Sequence, residues 1–233
     1  MESMIGKNAI IYGATGGLGH SLCQEFINRG VNVFLIARSG TKLRELAAEF
    51  KLKPFQIFNT KTITTDQDYL KTLNWLKTRK KVFSYAVHAA GQGLMKNAFT
   101  LSLNDWTEII DINLTSSFAF FKLIWEVREK NDMELVYFSS ASLSKAWPKN
   151  GLYGASKAGL EAFAQSLHQD IKSQGGRVWL YRLGSVDTPF FDNVPNHVPR
   201  EKMLSPREIA KIVVTNVSMP KNTYFPVIPI VSD

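Results

Sequence analysis

Short, nearly unbroken apolar runs alternate with amphipathic segments of helical period along this 233-residue chain. "NAIIYGA" (8–14) precedes "HSLCQEFINRG" (20–30), "VNVFLIA" (31–37) precedes "TKLRELAAEFK" (41–51), and "PFQIFN" (54–59) precedes "DQDYLKTLNWLKT" (66–78). A strand that is apolar at every position has both faces buried, and strands joined through helices run parallel with right-handed crossovers. The alternation continues through "VFSYAVHAAG" (82–91), a long helical stretch from about Asn104 to Glu129, and "MELVYFSS" (133–140). Then come a helix containing "YGASKAGLEAF" (153–163), the run "RVWLYRLG" (177–184), a helix opened by "SPREIAKIVV" (205–214), and "TYFPVIPI" (223–230). The prolines of that last run suit only an edge strand. With no linker or repeat, the pattern predicts one α/β domain over 1–233, a doubly wound parallel sheet between two helical layers.

"YGATGGLG" occupies the first strand–helix junction. There Gly13, Gly17 and Gly19 allow a tight turn, close backbone approach to a pyrophosphate, and packing of helix on strand. Thr15, Gly16 and Leu18 complete the loop, and the helix start offers free N–H groups and positive partial charge to phosphates. The loop lacks the Lys-Ser/Thr ending of a P-loop, so a nucleoside-triphosphatase is not supported. The second strand closes with "IARSG". A dinucleotide site selective for NAD carries a carboxylate here; Arg38 and Ser39 instead leave a 2′-phosphate unrepelled and give it a guanidinium partner. NADP(H) is expected over NAD(H).

Tyr153 and Lys157 fall one helical turn apart and share a face. A cation about 4 Å from the phenol, at an effective dielectric near 20, favours phenolate by about 4 kcal/mol. Such a pair suits proton exchange with a carbonyl or alcohol oxygen.

These stretches together, with "HAAG" after the fourth strand, "DIN" in the helix beyond it, "SS" ending the fifth strand and "LGSVDTP" after the sixth, resemble the short-chain dehydrogenase/reductase family over roughly residues 7–190. The resemblance implies a Rossmann fold and a catalytic set of Asn113, Ser140, Tyr153 and Lys157, with Ser140 chosen over Ser139 and Ser142 by its spacing to the tyrosine. It further implies that Asn113 distorts its helix and holds a water leading to Lys157, and that Ala90, Gly91, Gly184, Val186 and Thr188 join Tyr153 and Lys157 at the cofactor. Departures are Leu183-Gly184 in place of Pro-Gly, Asn59 in place of an adenine-contacting aspartate, and His88 and Ala89 in place of asparagines. His88 reads as a strand-end residue rather than an acid/base group.

Gln92, Leu94, Leu143, Trp147, Phe190 and Phe191, together with Ser140 and Tyr153, are the expected substrate-facing residues. Their apolar and aromatic character points to a hydrophobic ketone, aldehyde or alcohol. A short substrate lobe is expected around 185–205. The helices starting near Asn104 and Leu152 carry surplus apolar surface, and the resemblance implies a homodimer or homotetramer formed through them. An alternative is a non-catalytic NADP(H)-binding sensor or interaction protein, suggested by Leu183 and the altered C-terminal segment.

A formal charge of +8 and a pI near 9.5 favour anionic ligands such as nucleotides. The densest basic run, "KTRKK" (77–81), lacks interleaved aromatics and reads as a solvated face, so nucleic acid is not an expected partner. The single cysteine, Cys23, excludes an internal disulfide. No metal site is expected, no apolar run reaches membrane-spanning length, and the N-terminal residues lack a signal-peptide layout. A cytoplasmic protein without membrane insertion is the expectation.

Overall fold

The computed structural model describes residues 3–192 and 198–232. Seven parallel strands, β1 (Asn8–Tyr12), β2 (Asn32–Ala37), β3 (Ile57–Asn59), β4 (Tyr85–His88), β5 (Met133–Ser140), β6 (Gly176–Leu183) and β7 (Ile228–Ile230), form one sheet in the order β3-β2-β1-β4-β5-β6-β7. The chain winds outward from β1 in one direction, then crosses back to β4 and winds the other way. This is the three-layer Rossmann architecture, and the reversal between β1 and β4 opens a crevice at the strand C-termini. β7 is the edge strand, where Pro229 sits opposite Arg182.

Seven α-helices are described: α1 (Gly17–Asn28), α2 (Gly40–Glu49), α3 (Asp66–Thr78), α4 (Leu103–Ile110), α5 (Ser116–Trp125), α6 (Gly151–Ile171) and α7 (Pro206–Val217). Their starts follow local chemistry. Ser39 accepts a hydrogen bond from the Lys42 N–H, Thr65 from Asp68, and Ser102 forms a capping box with Asp105. Gly30 ends α1 at φ +75.

Strand alternation sends side chains to two cores. Ile11, Val33, Leu35, Val87 and Val136 pack with Leu22, Cys23 and Phe26 of α1 and Ile209 and Val213 of α7. Ile10, Phe34, Ile36, Ala86 and Leu135 pack with Trp75 of α3, Phe120 and Leu123 of α5, and Leu160 and Ala164 of α6. Cys23 is thus a buried apolar residue. The 77–81 run closes α3 and remains exposed apart from Arg79.

Two expectations need correction. The fourth strand is only Tyr85–His88; just beyond it the Ala89 N–H still donates to the Tyr12 carbonyl at 2.8 Å, and the Ala90 backbone then packs against Gly13. The helix expected over 104–129 ends at Trp125 and is divided by a π-turn at Asp111–Thr115. In the segment expected to form a substrate lobe, Pro189–Asp192 and Arg200–Lys202 are single helical turns and Val186 bridges Leu204, while residues 193–197 lie outside the described residues.

Candidate active site

A cleft of about 1130 Å³ runs along the C-terminal ends of β1, β2, β4, β5 and β6. Its floor at the β1 end is the glycine turn. Gly13 sits at φ +85, and a Cβ there would lie 2.4 Å from the Ala90 backbone nitrogen, so β1 and the segment after β4 cross in backbone contact. A Cβ on Gly19 would meet the Gly13 carbonyl oxygen at 2.3 Å, which brings the first turn of α1 against the loop. Gly16 caps α1 with no side-chain hydrogen bond, so the N–H groups of its first turn face the cleft unmasked. Thr15, Gly17 and Leu18 line the same end.

At the β2 end, Arg38 and Ser39 line the cleft, joined by Lys42 from the first turn of α2. Asn59 does not reach it: its side-chain amide donates to the Ala37 and Arg38 carbonyls at 3.0 and 2.8 Å and fixes the strand end that presents Arg38. The charged residues of the lining are Arg38, Lys42, Lys149 and Lys157, with no carboxylate among the described ones. A glycine cradle, an uncapped helix start and a lining whose charged residues are all cationic fit a dinucleotide phosphate chain.

The opposite wall carries the polar set. Tyr153 lies in the first turn of α6 and Lys157 one turn on, with its ammonium 5.9 Å from the centre of the phenol ring. Lys157 is 6% exposed and donates to the Phe138 carbonyl at 2.9 Å. Ser140, last residue of β5, lies within hydrogen-bonding reach of the Tyr153 phenol. The neighbouring Ser139 and Ser142 also line the cleft: Ser139 alternates with Ser140 along the strand, and Ser142 accepts from Ser140 at 2.9 Å and from Asn150 at 3.3 Å.

Burial sets the electrostatics here. It pushes the Tyr153 phenol up to about 12, with hydrogen bonding to Ser140 pulling the other way, and it lowers Lys157 to about 8. Burial here opposes the acidification that the spacing to Lys157 predicts. The ammonium is engaged with a backbone carbonyl, and desolvation is the larger influence on the phenol.

Asn113 lies behind the cleft, fully buried within the π-turn. Its side-chain oxygen accepts from the Gln92 N–H at 2.9 Å, and its amide donates to the Gln92 carbonyl at 2.9 Å and to Ser156 Oγ at 3.0 Å. Ser156 in turn donates to the Tyr153 carbonyl. Asn113 thus joins the segment after β4 to the turn of α6 that carries the phenol.

Ala90, Gly91, Gly184, Val186 and Thr188 line the cleft, as do Leu94, Trp147, Phe190 and Phe191. The Phe190 ring lies 6.2 Å from that of Tyr153. Two expected substrate-facing residues do not line it. The Gln92 side chain is captured by Glu108 at 3.1 Å, and Leu143 is turned aside in the short helical turn Ala141–Ser144. Lys42 was missed, though its spacing from Arg38 across a helix start is readable; Val231 and Ser232, which line the cleft beyond β7, leave no local signal. Leu183-Gly184 still yields a regular edge, since the Gly184 N–H donates to Ile230 at 2.8 Å. Among the described residues no helix is long and apolar enough to cross a membrane, and no His, Cys, Asp and Glu cluster is suited to a metal.

The profile of a family described as short chain dehydrogenase matches residues 7–198. An uncharacterized oxidoreductase of Staphylococcus epidermidis is 24% identical over 220 residues, 93% of each chain. Among solved structures, a short-chain dehydrogenase/reductase from Brucella melitensis superposes with a TM-score of 0.86 at 22% identity, covering 98% of this chain and 96% of that one. BdcA in complex with NADPH gives 0.83 at 20% identity, covering 99% and 95%.

Proposed function

The chain belongs to the short-chain dehydrogenase family, and we propose that it is an NADP(H)-dependent oxidoreductase interconverting an apolar carbonyl compound and its alcohol. The observation that carries this reading is the convergence of Tyr153, Ser140 and Lys157 on one wall of a cleft whose other end is the glycine cradle.

Reduced nicotinamide supplies a hydride to carbonyl carbon when bound. The protein's part is to hold the oxygen and deliver a proton. Ser140 donates a hydrogen bond to the carbonyl oxygen as charge develops there. Tyr153, whose phenol stays protonated at neutral pH, gives that oxygen its proton. Lys157 is cationic below about pH 8 and stabilises the phenolate left behind. Asn113 keeps the Gln92 segment and α6 in place, and the water expected beside it would return the proton through Lys157. Arg38, Ser39 and Lys42 form the pocket for the 2′-phosphate.

Leu94, Trp147, Phe190 and Phe191 would wall an apolar substrate, with residues 185–205 as its short lobe. Exposed Phe99, Leu103, Trp106 and Phe118, clustered on and around α4 and α5, suit the face of a homo-oligomer. A cytoplasmic setting accords with a lone, buried cysteine.

The test is to mix the protein with NADPH and a panel of aldehydes and ketones and follow the absorbance of the reduced nicotinamide. Turnover that disappears in Tyr153→Phe, with NADPH binding retained, is the expected result. A panel without turnover above that control would refute catalysis and leave the non-catalytic NADP(H)-binding reading.

A further inference from the structure

β4 ends in a histidine that this chemistry does not use. His88 is 2% exposed and lies among the rings of Tyr12, Phe120 and Tyr137 at 5.2, 5.7 and 5.9 Å. Its Nε2 is 2.7 Å from Ser116 Oγ, and Ser116 Oγ donates to the Ile112 carbonyl at 2.8 Å. A hydroxyl has one proton to give, so with that proton on the Ile112 oxygen the His88 Nε2–H is the donor to Ser116. Burial, seconded by the charge of Lys157, holds the imidazole near 3, so it is neutral at physiological pH.

The chain of bonds ends at the π-turn. In an α-helix the Ser116 N–H would serve the Ile112 carbonyl. Here the cap N–H reaches back to Asp111, one residue further. The Ser116 hydroxyl donates to the Ile112 carbonyl in place of that N–H. The same change of register sets the next residue, Asn113, facing inward, where its amide grips both backbone groups of Gln92. Gln92 follows Gly91, at which a Cβ would lie 3.6 Å from the Lys157 ammonium.

We propose that His88 is a positioning residue: through Ser116 it holds the π-turn in register and so keeps Asn113 against Gln92 and Ser156, beside Lys157. Only its kinetic consequence rests on the oxidoreductase reading above.

Four variants test it: His88→Leu, His88→Gln, Ser116→Ala, and His88→Leu with Ser116→Ala. The first readout is amide hydrogen exchange, which needs no activity. Exchange in the 111–117 segment is expected to rise about tenfold in His88→Leu and Ser116→Ala while the other strands and helices keep their protection. The second is steady-state kinetics, where kcat falls about tenfold and KM for NADPH and carbonyl stays within about threefold. The Gln amide reaches the Nε2 position, so His88→Gln restores kcat to within about threefold of the parent, and the double variant loses no more than the worse single. Unchanged exchange at 111–117 overturns the proposal. So does raised exchange with unaltered kcat, or a Gln variant no better than Leu, which would reduce His88 to packing. Should His88→Leu fail to fold, Ser116→Ala decides. A parent protein silent across the carbonyl panel sinks the oxidoreductase reading, and the exchange experiment still judges the lock.

Discussion

Replacing Lys157 by Met should make the protein more stable at pH 7 while removing turnover. The side chain is 6% exposed, and its ammonium donates to the Phe138 carbonyl at 2.9 Å. Burial lowers its pKa from 10.5 to about 8. That difference corresponds to on the order of 3 kcal/mol against the charged form. At pH 7 the lysine is charged in both folded and unfolded states, so the folded protein carries the whole penalty. Met fills a similar volume without charge and leaves the Phe138 carbonyl without its donor, a loss of about 1 kcal/mol. The net expectation is a gain of about 2 kcal/mol, or a rise in Tm of roughly 4–8 °C for a chain of this size. The sign of the pH dependence follows from proton counts. Between about 8 and 10.5 the unfolded chain binds more protons at this site than the folded protein, so parent stability rises with pH across that window. The advantage of Lys157→Met should therefore shrink from about pH 8 and be gone by 10.5. Urea titrations of both proteins from pH 7 to 10.5, with far-UV circular dichroism, measure the difference directly. A variant less stable at pH 7, or a difference that stays constant across the window, would refute the reasoning.

Three further outcomes can be checked. Arg38→Asp should reverse the preference between NADPH and NADH, by at least about tenfold in kcat/KM, because a carboxylate repels a 2′-phosphate and accepts from a ribose hydroxyl; unchanged selectivity would remove Arg38 from the argument. Gly13→Ala places a methyl 2.4 Å from the Ala90 nitrogen at φ +85, so thermal unfolding should fall by several degrees and nucleotide binding, followed by nicotinamide fluorescence, should be lost. Glu134, 1% exposed, binds Arg177 Nε at 2.9 Å and Trp179 Nε1 at 2.6 Å. Glu134→Gln leaves a buried guanidinium without its counter-charge and should destabilise by about 3–5 kcal/mol in urea titration; a loss below about 1 kcal/mol would show that the bonds from Arg177 to the Met219, Pro220 and Thr223 carbonyls suffice.

Some of this was written locally along the chain. Two-sided burial makes a strand apolar throughout, so "NAIIY", "NVFLIA" and "MELVYFSS" announce a parallel sheet, and the spacing of Tyr153 and Lys157 sets them on one helical face. The glycines of 13–19 likewise mark a backbone crossing that no larger residue permits. Other features depend on what folds back from far away. "DINLT" contains no proline or glycine to interrupt a helix. The family resemblance implied a distortion at Asn113, but its form as a π-turn is set by the bonds of Asn113 to Gln92 and of Ser116 to Ile112 and His88. Gln92 looked like a substrate contact until Glu108, from another element, claimed its amide. The surroundings of the phenol are hidden for the same reason: spacing in sequence is countable, whereas the desolvation of Tyr153 arises only once β5 and α6 pack together. The sequence by itself determined which elements form, their parallel arrangement and where the glycine turn and the Tyr153–Lys157 pair lie along the chain. Tertiary structure alone decided which polar groups are captured, which charges are desolvated and which side chains bond the backbone of the π-turn, because those depend on neighbours brought together only by the packed fold.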